Sequence, residues 1–203
     1  MIRRPPRSTQ SRSSAASDVY KRQIEFKQTW RPFQLNPGMP PDGMDRQEYL
    51  ISKFGSADAA KTIYDNIYDE GLLEGINFNF DSIQTTPNSF NSHRLLALAY
   101  KQGIQENVLD SLFESYFLNG EDIGDPNILL DIAIKHQIDA EDFKTYLSDQ
   151  ENIEPLANEE IEARKMGINS VPTFIVNKQI VINGAQTSEN FDIIFKKLTN
   201  TIN

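Results

Sequence analysis

Residues 167–175 decide the fold, and they read Gly167-Ile168-Asn169-Ser170-Val171-Pro172-Thr173-Phe174-Ile175. The β-rich run over residues 171–176 predicts a short strand, Asn177-Lys178 predicts a tight turn, and residues 179–182 predict the return strand. From Ser188 onward, apolar residues at i, i+3, i+4 and i+7 predict a closing helix. These apolar residues are Phe191, Ile194, Phe195 and Leu198. The chain therefore ends in a β-hairpin followed by a helix.

Upstream of this hairpin the sequence predicts a long helical block over residues 45–166. Gly55, Gly75 and Gly103 follow apolar stripes and end helices, while Asp125 before Pro126 begins one. The predicted segments are 45–54, 57–73, 88–103 with Asn88 or Ser89 as its cap, 108–117, 125–132, 139–147 and 153–166. Each helix has an apolar stripe that can be buried only by packing against the other helices.

Before the helical block, residues 24–33 alternate apolar and polar side chains with the period of a strand. Residues 34–44 then form a loop rich in proline and glycine. The order predicted from the sequence is strand, long helical block, hairpin and helix.

Residues 1–23 differ in composition from the rest of the chain. They contain six basic residues and one acid, so they carry +5 and the remaining 180 residues carry −14. Without an apolar period this segment has nothing to bury, and we expect it to be disordered. A basic tail that contacts an anionic partner is the alternative. The segment also resembles a translated sequencing-adaptor tail, which would make it non-native.

Composition excludes several classes of function. The net charge of −9 argues against a nucleic-acid-binding protein, because affinity for phosphate backbones comes from clustered lysine and arginine. No apolar run reaches the roughly 18 residues that span a bilayer, and no signal peptide is evident. We therefore expect a cytoplasmic protein without membrane partners.

The chain contains no cysteine, which excludes a disulfide framework, a thiolate metal site and a thiol nucleophile within it. His93 and His136 lie on different predicted helices, and we expect structural or surface roles for them rather than a metal site. The acidic clusters are interpreted as solvated helix faces, and no phosphate-binding or dinucleotide-binding motif is present. The sequence thus predicts neither a metal nor a cofactor.

Four segments in order support a family resemblance. Residues 167–175 and Gly184-Ala185-Gln186 resemble the C-terminal half of a thioredoxin fold. Residues 30–37 (Trp30-Arg31-Pro32-Phe33-Gln34-Leu35-Asn36-Pro37) and 91–95 (Asn91-Ser92-His93-Arg94-Leu95) are similar to the FrnE-like branch of the DsbA family. The resemblance spans about residues 24–198. It implies an α/β thioredoxin-like fold with a large inserted all-helical domain, mostly helical overall.

The resemblance also implies a substrate-binding loop at Val171, Pro172 and Thr173. In it, Pro172 would follow a cis peptide bond, and Val171 would offer its backbone N–H and C=O to an extended substrate peptide. From the Val-Pro dipeptide alone, an ordinary trans proline at the start of a strand is the more frequent interpretation. With the hairpin and helix beside it, we expect the cis form.

The first strand and helix of this fold, with their Cys-x-x-Cys turn, are missing from the sequence. The resemblance places them before residue 24, and residues 1–23 have neither the pattern nor the cysteines. The expected organisation is a non-native or disordered tail (1–23), a thioredoxin-fold strand and loop (24–43), an inserted helical domain (44–166), and the C-terminal hairpin and helix (167–203).

The function implied is disulfide oxidoreductase or isomerase activity by thiol-disulfide exchange, on thiol-containing or disulfide-containing proteins or small molecules. The chain as written is predicted to be inactive because it has no catalytic residues. One alternative is a glutathione-dependent isomerase or transferase of the 2-hydroxychromene-2-carboxylate isomerase or kappa type, in which a serine replaces the cysteines. A second alternative is a non-catalytic thioredoxin-like domain that binds peptides.

Overall fold

The computed structural model describes residues 27–202, and the side chains of residues 199–202 lie outside that description. The predictions for the tail (residues 1–23) and for the start of the strand (residues 24–26) therefore fall outside the described residues. The described helices are α1 (Arg46–Phe54), α2 (Ala57–Leu73), α3 (Phe90–Lys101), α4 (Gln105–Phe113), α5 (Pro126–Lys135), α6 (Ala140–Ser148), α7 (Ile153–Lys165) and α8 (Ser188–Ile202). No helix within this range is both long and apolar enough to span a membrane.

The strands are short and form two separate antiparallel pairs. β1 (Met44–Asp45) pairs with β2 (Thr85–Thr86), and β3 (Thr173–Val176) pairs with β4 (Ile180–Asn183). A 3₁₀ turn (Phe80–Ser82) and a π-helical turn (Glu114–Leu118) complete the regular structure.

Contacts divide the chain into two compact units. Among the described residues, the helical unit comprises residues 29–70 and 77–169, and the hairpin unit comprises residues 27–28, 71–76 and 170–202. The domain boundaries expected after residues 23, 43 and 166 stay predictions.

Local capping explains where several helices begin. The Asp45 carboxylate accepts hydrogen bonds from the backbone N–H groups of Gln47 and Glu48, and Asp139 caps α6 in the same way. Asp125 caps α5 and Pro126 occupies its first position, as predicted. At α3 the capping oxygen belongs to Asn88, which accepts from the Phe90 N–H at 3.0 Å, whereas Ser89 makes no capping hydrogen bond.

The predicted apolar stripes form the core of the helical unit. Helices α3, α4 and α5 contribute its centre, and Phe143 of α6 closes it with 1% of its surface exposed. The buried stripe residues are Leu95, Leu96, Ala99, Val108, Leu109, Leu112, Leu129 and Ile132. Burial of such side chains is the main favourable term in folding, at about 1.5–3 kcal/mol for each large one.

The stripe predicted across residues 108–117 is wrong in its last part. The α-helix ends at Phe113, which is 50% exposed, and a π-helical turn follows. A π turn contains an extra residue, so side chains beyond it point in a new direction. Tyr116 and Phe117 consequently join an aromatic cluster in which the Phe117 and Phe78 ring centroids lie 5.8 Å apart.

The hairpin unit has a small core of its own. Asn177 and Lys178 both have positive φ angles (52° and 59°), which is typical of a two-residue hairpin turn. Ile182 of β4 and Phe191 of α8 are buried, and the Phe174 ring packs edge-on against Phe191 at 5.0 Å. The predicted hairpin and closing helix are therefore confirmed.

The prediction of a strand at residues 24–33 is wrong for its described part. Residues 27–33 take part in no strand pairing. The Gln105 side chain instead binds Trp30: its Oε1 accepts from the Trp30 N–H at 2.9 Å, and its Nε2 donates to the Trp30 carbonyl at 3.0 Å. The alternation of apolar and polar side chains favours an extended backbone, but a strand also requires a neighbouring strand to pair with.

Gln105→Leu should destabilise the helical unit by about 2 kcal/mol, because it removes both hydrogen bonds to Trp30 and a third to the Leu96 carbonyl. Urea unfolding gives the free energy, and the emission of Trp30, the single tryptophan, should shift to longer wavelength. Gln102→Leu, at an exposed position at the end of α3, is the matched control. Equal stability of the two variants would contradict an anchoring role for Gln105.

Candidate functional site

The candidate site is the loop that leads into β3. Its Val171–Pro172 peptide bond is cis. The Thr173 hydroxyl donates a hydrogen bond to the Ser170 carbonyl at 2.8 Å, which closes the loop across the proline. The loop thus has a defined shape fixed by residues next to it in the chain.

The loop is also held from the other strand of the hairpin. The Gly184 N–H donates to the Pro172 carbonyl at 2.8 Å, directly beyond the last paired residue of β4. Gly184 has a φ of +77°, a conformation that residues with a side chain rarely adopt. This contact leaves the Pro172 carbonyl engaged inside the hairpin unit.

The backbone of Val171 is not engaged in the way that the Pro172 carbonyl is. Its backbone N–H and C=O make no hydrogen bond within the described part of the chain, and its surface is 47% exposed. Pro172 is exposed as well. An exposed, unpaired backbone beside a strand can add an extended peptide by main-chain hydrogen bonds.

The three residues predicted for substrate binding therefore lie together in one loop but differ in what they offer. Val171 presents a free backbone, Pro172 presents its ring, and the Thr173 hydroxyl is used within the loop. No role was predicted for Gly184 from the sequence. The signal was present in Gly184-Ala185-Gln186, because a glycine directly after a predicted strand marks a special backbone conformation.

The two histidines lie on or next to separate helices. His93 Nε2 is 3.5 Å from the Ser89 hydroxyl, and His136 Nε2 is 2.8 Å from the Ser111 hydroxyl. Burial lowers the pKa of His93 to about 4, against a smaller opposing effect of Glu160. Burial, followed by the positive charge of Lys135, also lowers the pKa of His136. Among residues 27–202 no group of three metal-binding side chains comes together.

The sequence and the structure of this chain were compared with those of known proteins, and both comparisons found similar proteins. Residues 10–195 match the family described as DSBA-like thioredoxin domain, and the match includes part of the tail. The structure is similar to the crystal structure of a probable DsbA oxidoreductase from Streptomyces coelicolor, with a TM-score of 0.82 and 24% sequence identity. The alignment covers 96% of this chain and 85% of that chain. At this identity the likeness concerns the fold. A search of curated proteins found no match.

Stability should fall on acidification because of His93. Its pKa is lower in the folded state than in the unfolded state, so stability from the neutral ring is complete above about pH 6.5 and is lost as the pH falls toward 4. The loss should reach about 2 kcal/mol near pH 4.5. Urea unfolding near pH 7 and pH 4.5 measures it, and His93→Gln should reduce the difference more than His136→Gln does. An unchanged pH dependence in His93→Gln would rule out a buried neutral ring.

Proposed function

The chain belongs to the DSBA-like thioredoxin domain family, and on that premise we propose that its natural activity is thiol-disulfide exchange with peptide or small-molecule substrates. The observation that carries this proposal is that the backbone N–H and C=O of Val171, beside the cis Val171–Pro172 bond, have no hydrogen-bond partner within residues 27–202. A substrate segment on either side of a cysteine pairs with this backbone and so brings its sulfur to a fixed position. Residues 30–37 and 91–95 favour the FrnE-like branch.

The redox cysteines of the proposed reaction are not in this chain, which contains none. We place them in a strand, Cys-x-x-Cys turn and helix that precede residue 24 in the natural protein. The backbone of the segment after residue 24 supports this placement, because Thr29 and Arg31 make no main-chain hydrogen bonds within residues 27–202. A preceding strand would supply those hydrogen bonds.

The reaction proceeds in two exchanges. The first thiolate attacks a substrate disulfide, which forms a mixed disulfide and releases one substrate thiolate that takes up a proton. The second thiolate attacks the mixed disulfide, releases the other substrate sulfur, and leaves the enzyme pair oxidised. The substrate is thereby reduced by two electrons, and the reverse sequence oxidises it. A helix N-terminus stabilises the attacking thiolate by its partial positive charge and free N–H groups.

This chain by itself should not accelerate insulin reduction or oxidative refolding of a disulfide protein. Replacing residues 1–23 with the strand, Cys-x-x-Cys turn and helix of a DsbA-family oxidoreductase should give an active chimera. The control is the same chimera with both cysteines changed to serine, which should fold and remain inactive. A folded, inactive cysteine chimera would argue against thiol-disulfide exchange, and peptide binding by it would favour the non-catalytic alternative.

The role of Val171 is tested in that chimera by Val171→Pro, which removes the backbone N–H. The kcat/KM for a peptide disulfide should fall by about tenfold, the equivalent of one hydrogen bond of roughly 1.4 kcal/mol, while the rate with a small aromatic disulfide should change little. Val171→Ala keeps the N–H and is the matched control. Equal losses with both kinds of disulfide would contradict pairing of a peptide with Val171.

A further inference from the structure

The helical unit contains a pocket that the proposed thiol chemistry does not use. It lies between residues 29–32, α3 and α7, and its volume is about 230 Å³. None of its lining residues belongs to the hairpin unit that carries Val171. We call it the Trp30 pocket, after the aromatic residue of its first wall.

The size of the Trp30 pocket restricts the ligand. Apolar cavities of about 150 Å³ hold benzene, whereas sites for drug-sized molecules are about 300–1,000 Å³. A volume of about 230 Å³ therefore suits a single aromatic ring with one substituent. Trp30, Leu96, Ala97 and Tyr100 supply apolar and aromatic surface for such a ring.

The charged side chains that line the Trp30 pocket favour a negatively charged ligand. Lys101 lines it and makes no salt bridge within residues 27–202, and its Nζ lies over the ring of Tyr146, 5.5 Å from the centroid. The other two charged residues, Arg31 and Glu159, pair with each other at 2.9 Å. The lining therefore carries one uncompensated positive charge in a chain whose net charge is −9.

The polar side chains of Thr29, Gln105 and His93 also line the pocket, and none of them adds a charge near pH 7. Gln105 already uses its amide for Trp30 and Leu96, so it shapes the pocket rather than binding a ligand. The ring of His93 is neutral near pH 7, because burial lowers its pKa to about 4. It can donate or accept a hydrogen bond there.

We propose that the Trp30 pocket binds small one-ring aromatic carboxylates, with the ring against Trp30 and Tyr100 and the carboxylate beside Lys101. Affinity should be modest, with a Kd of about 1 mM, because the ligand is small and the charge is exposed. The site shares no residue with the peptide-binding loop of the proposed function and does not depend on it.

Trp30 reports on binding directly, since it is the single tryptophan of the chain and lines the pocket. Titration with sodium benzoate at constant ionic strength should change its fluorescence and saturate, and benzyl alcohol should bind more weakly. Lys101→Met should raise the benzoate Kd by about threefold and leave the benzyl alcohol Kd unchanged. Lys53→Met is the matched control, because Lys53 also lies over an aromatic ring, at 5.4 Å from Phe54, but outside this pocket.

Ala97→Phe fills the Trp30 pocket and should abolish saturation, with circular dichroism used to check that the variant folds. A linear, non-saturating benzoate response, or equal Kd values for wild type and Lys101→Met, would overturn the proposal. The titration is repeated on the cysteine chimera. Saturation with the same dependence on Lys101 supports the site, whereas loss of binding there means that the preceding segment covers the pocket and overturns the proposal.

Discussion

The shape of the loop before β3 depends on the hydrogen bond from the Gly184 N–H to the Pro172 carbonyl. It joins the end of β4 to the loop before β3, so the loop cannot move independently of the hairpin. It also consumes the Pro172 carbonyl, and Thr173 closes the other side of the loop through Ser170. Within residues 27–202 neither the N–H nor the C=O of Val171 has a hydrogen-bond partner. The backbone groups that remain available at this edge are therefore determined by which neighbouring peptide groups are already engaged.

A second constraint of the same kind acts in the helical unit. The backbone of Trp30 needs hydrogen-bonding partners, and within residues 27–202 a glutamine side chain supplies them in place of a strand. Gln105 lies at the start of α4, whose apolar stripe is packed in the core. The position of Trp30 thus depends on α4, while Arg164 of α7 holds the following residues: it donates to the Gln34 carbonyl and lies over the Phe33 ring, 4.4 Å from its centroid. The Trp30 pocket is a consequence, because its first wall is held in place by Gln105.

Charge has different roles in different parts of the chain. Most of the ion pairs found within residues 27–202 join exposed side chains a few residues apart on one helix, and such pairs contribute little to stability. Lys101 is different, because it makes no salt bridge within residues 27–202 and is the positive charge on which the proposed anion site depends. The chain contains no cysteine, so the thiols of the proposed reaction are not among its residues.

The sequence alone determined the helices that begin at Asp45, Asp125 and Asp139, and also the hairpin with its turn at Asn177-Lys178. These features were predictable because each depends on hydrogen bonds or backbone angles within a few residues. It also indicated the loop at Val171-Pro172, through the resemblance of the segments around it. Two predictions were wrong. The strand expected at residues 27–33 is absent because it would need a partner strand, and the apolar stripe ends at Phe113 because the helix changes from α to π.

Only the tertiary structure decided the contact between Trp30 and Gln105, which are 75 residues apart, and the contact between Gly184 and Pro172. It also brought Lys101 and His93 to one pocket with Trp30. Contacts between distant residues leave no periodic signal in the sequence, because they depend on where whole helices pack. The physical reason is that backbone N–H and C=O groups at helix caps and turns find hydrogen-bond partners within a few residues. The backbone of a segment without regular structure, such as that of Trp30, is instead bonded by groups that the folded core brings close to it.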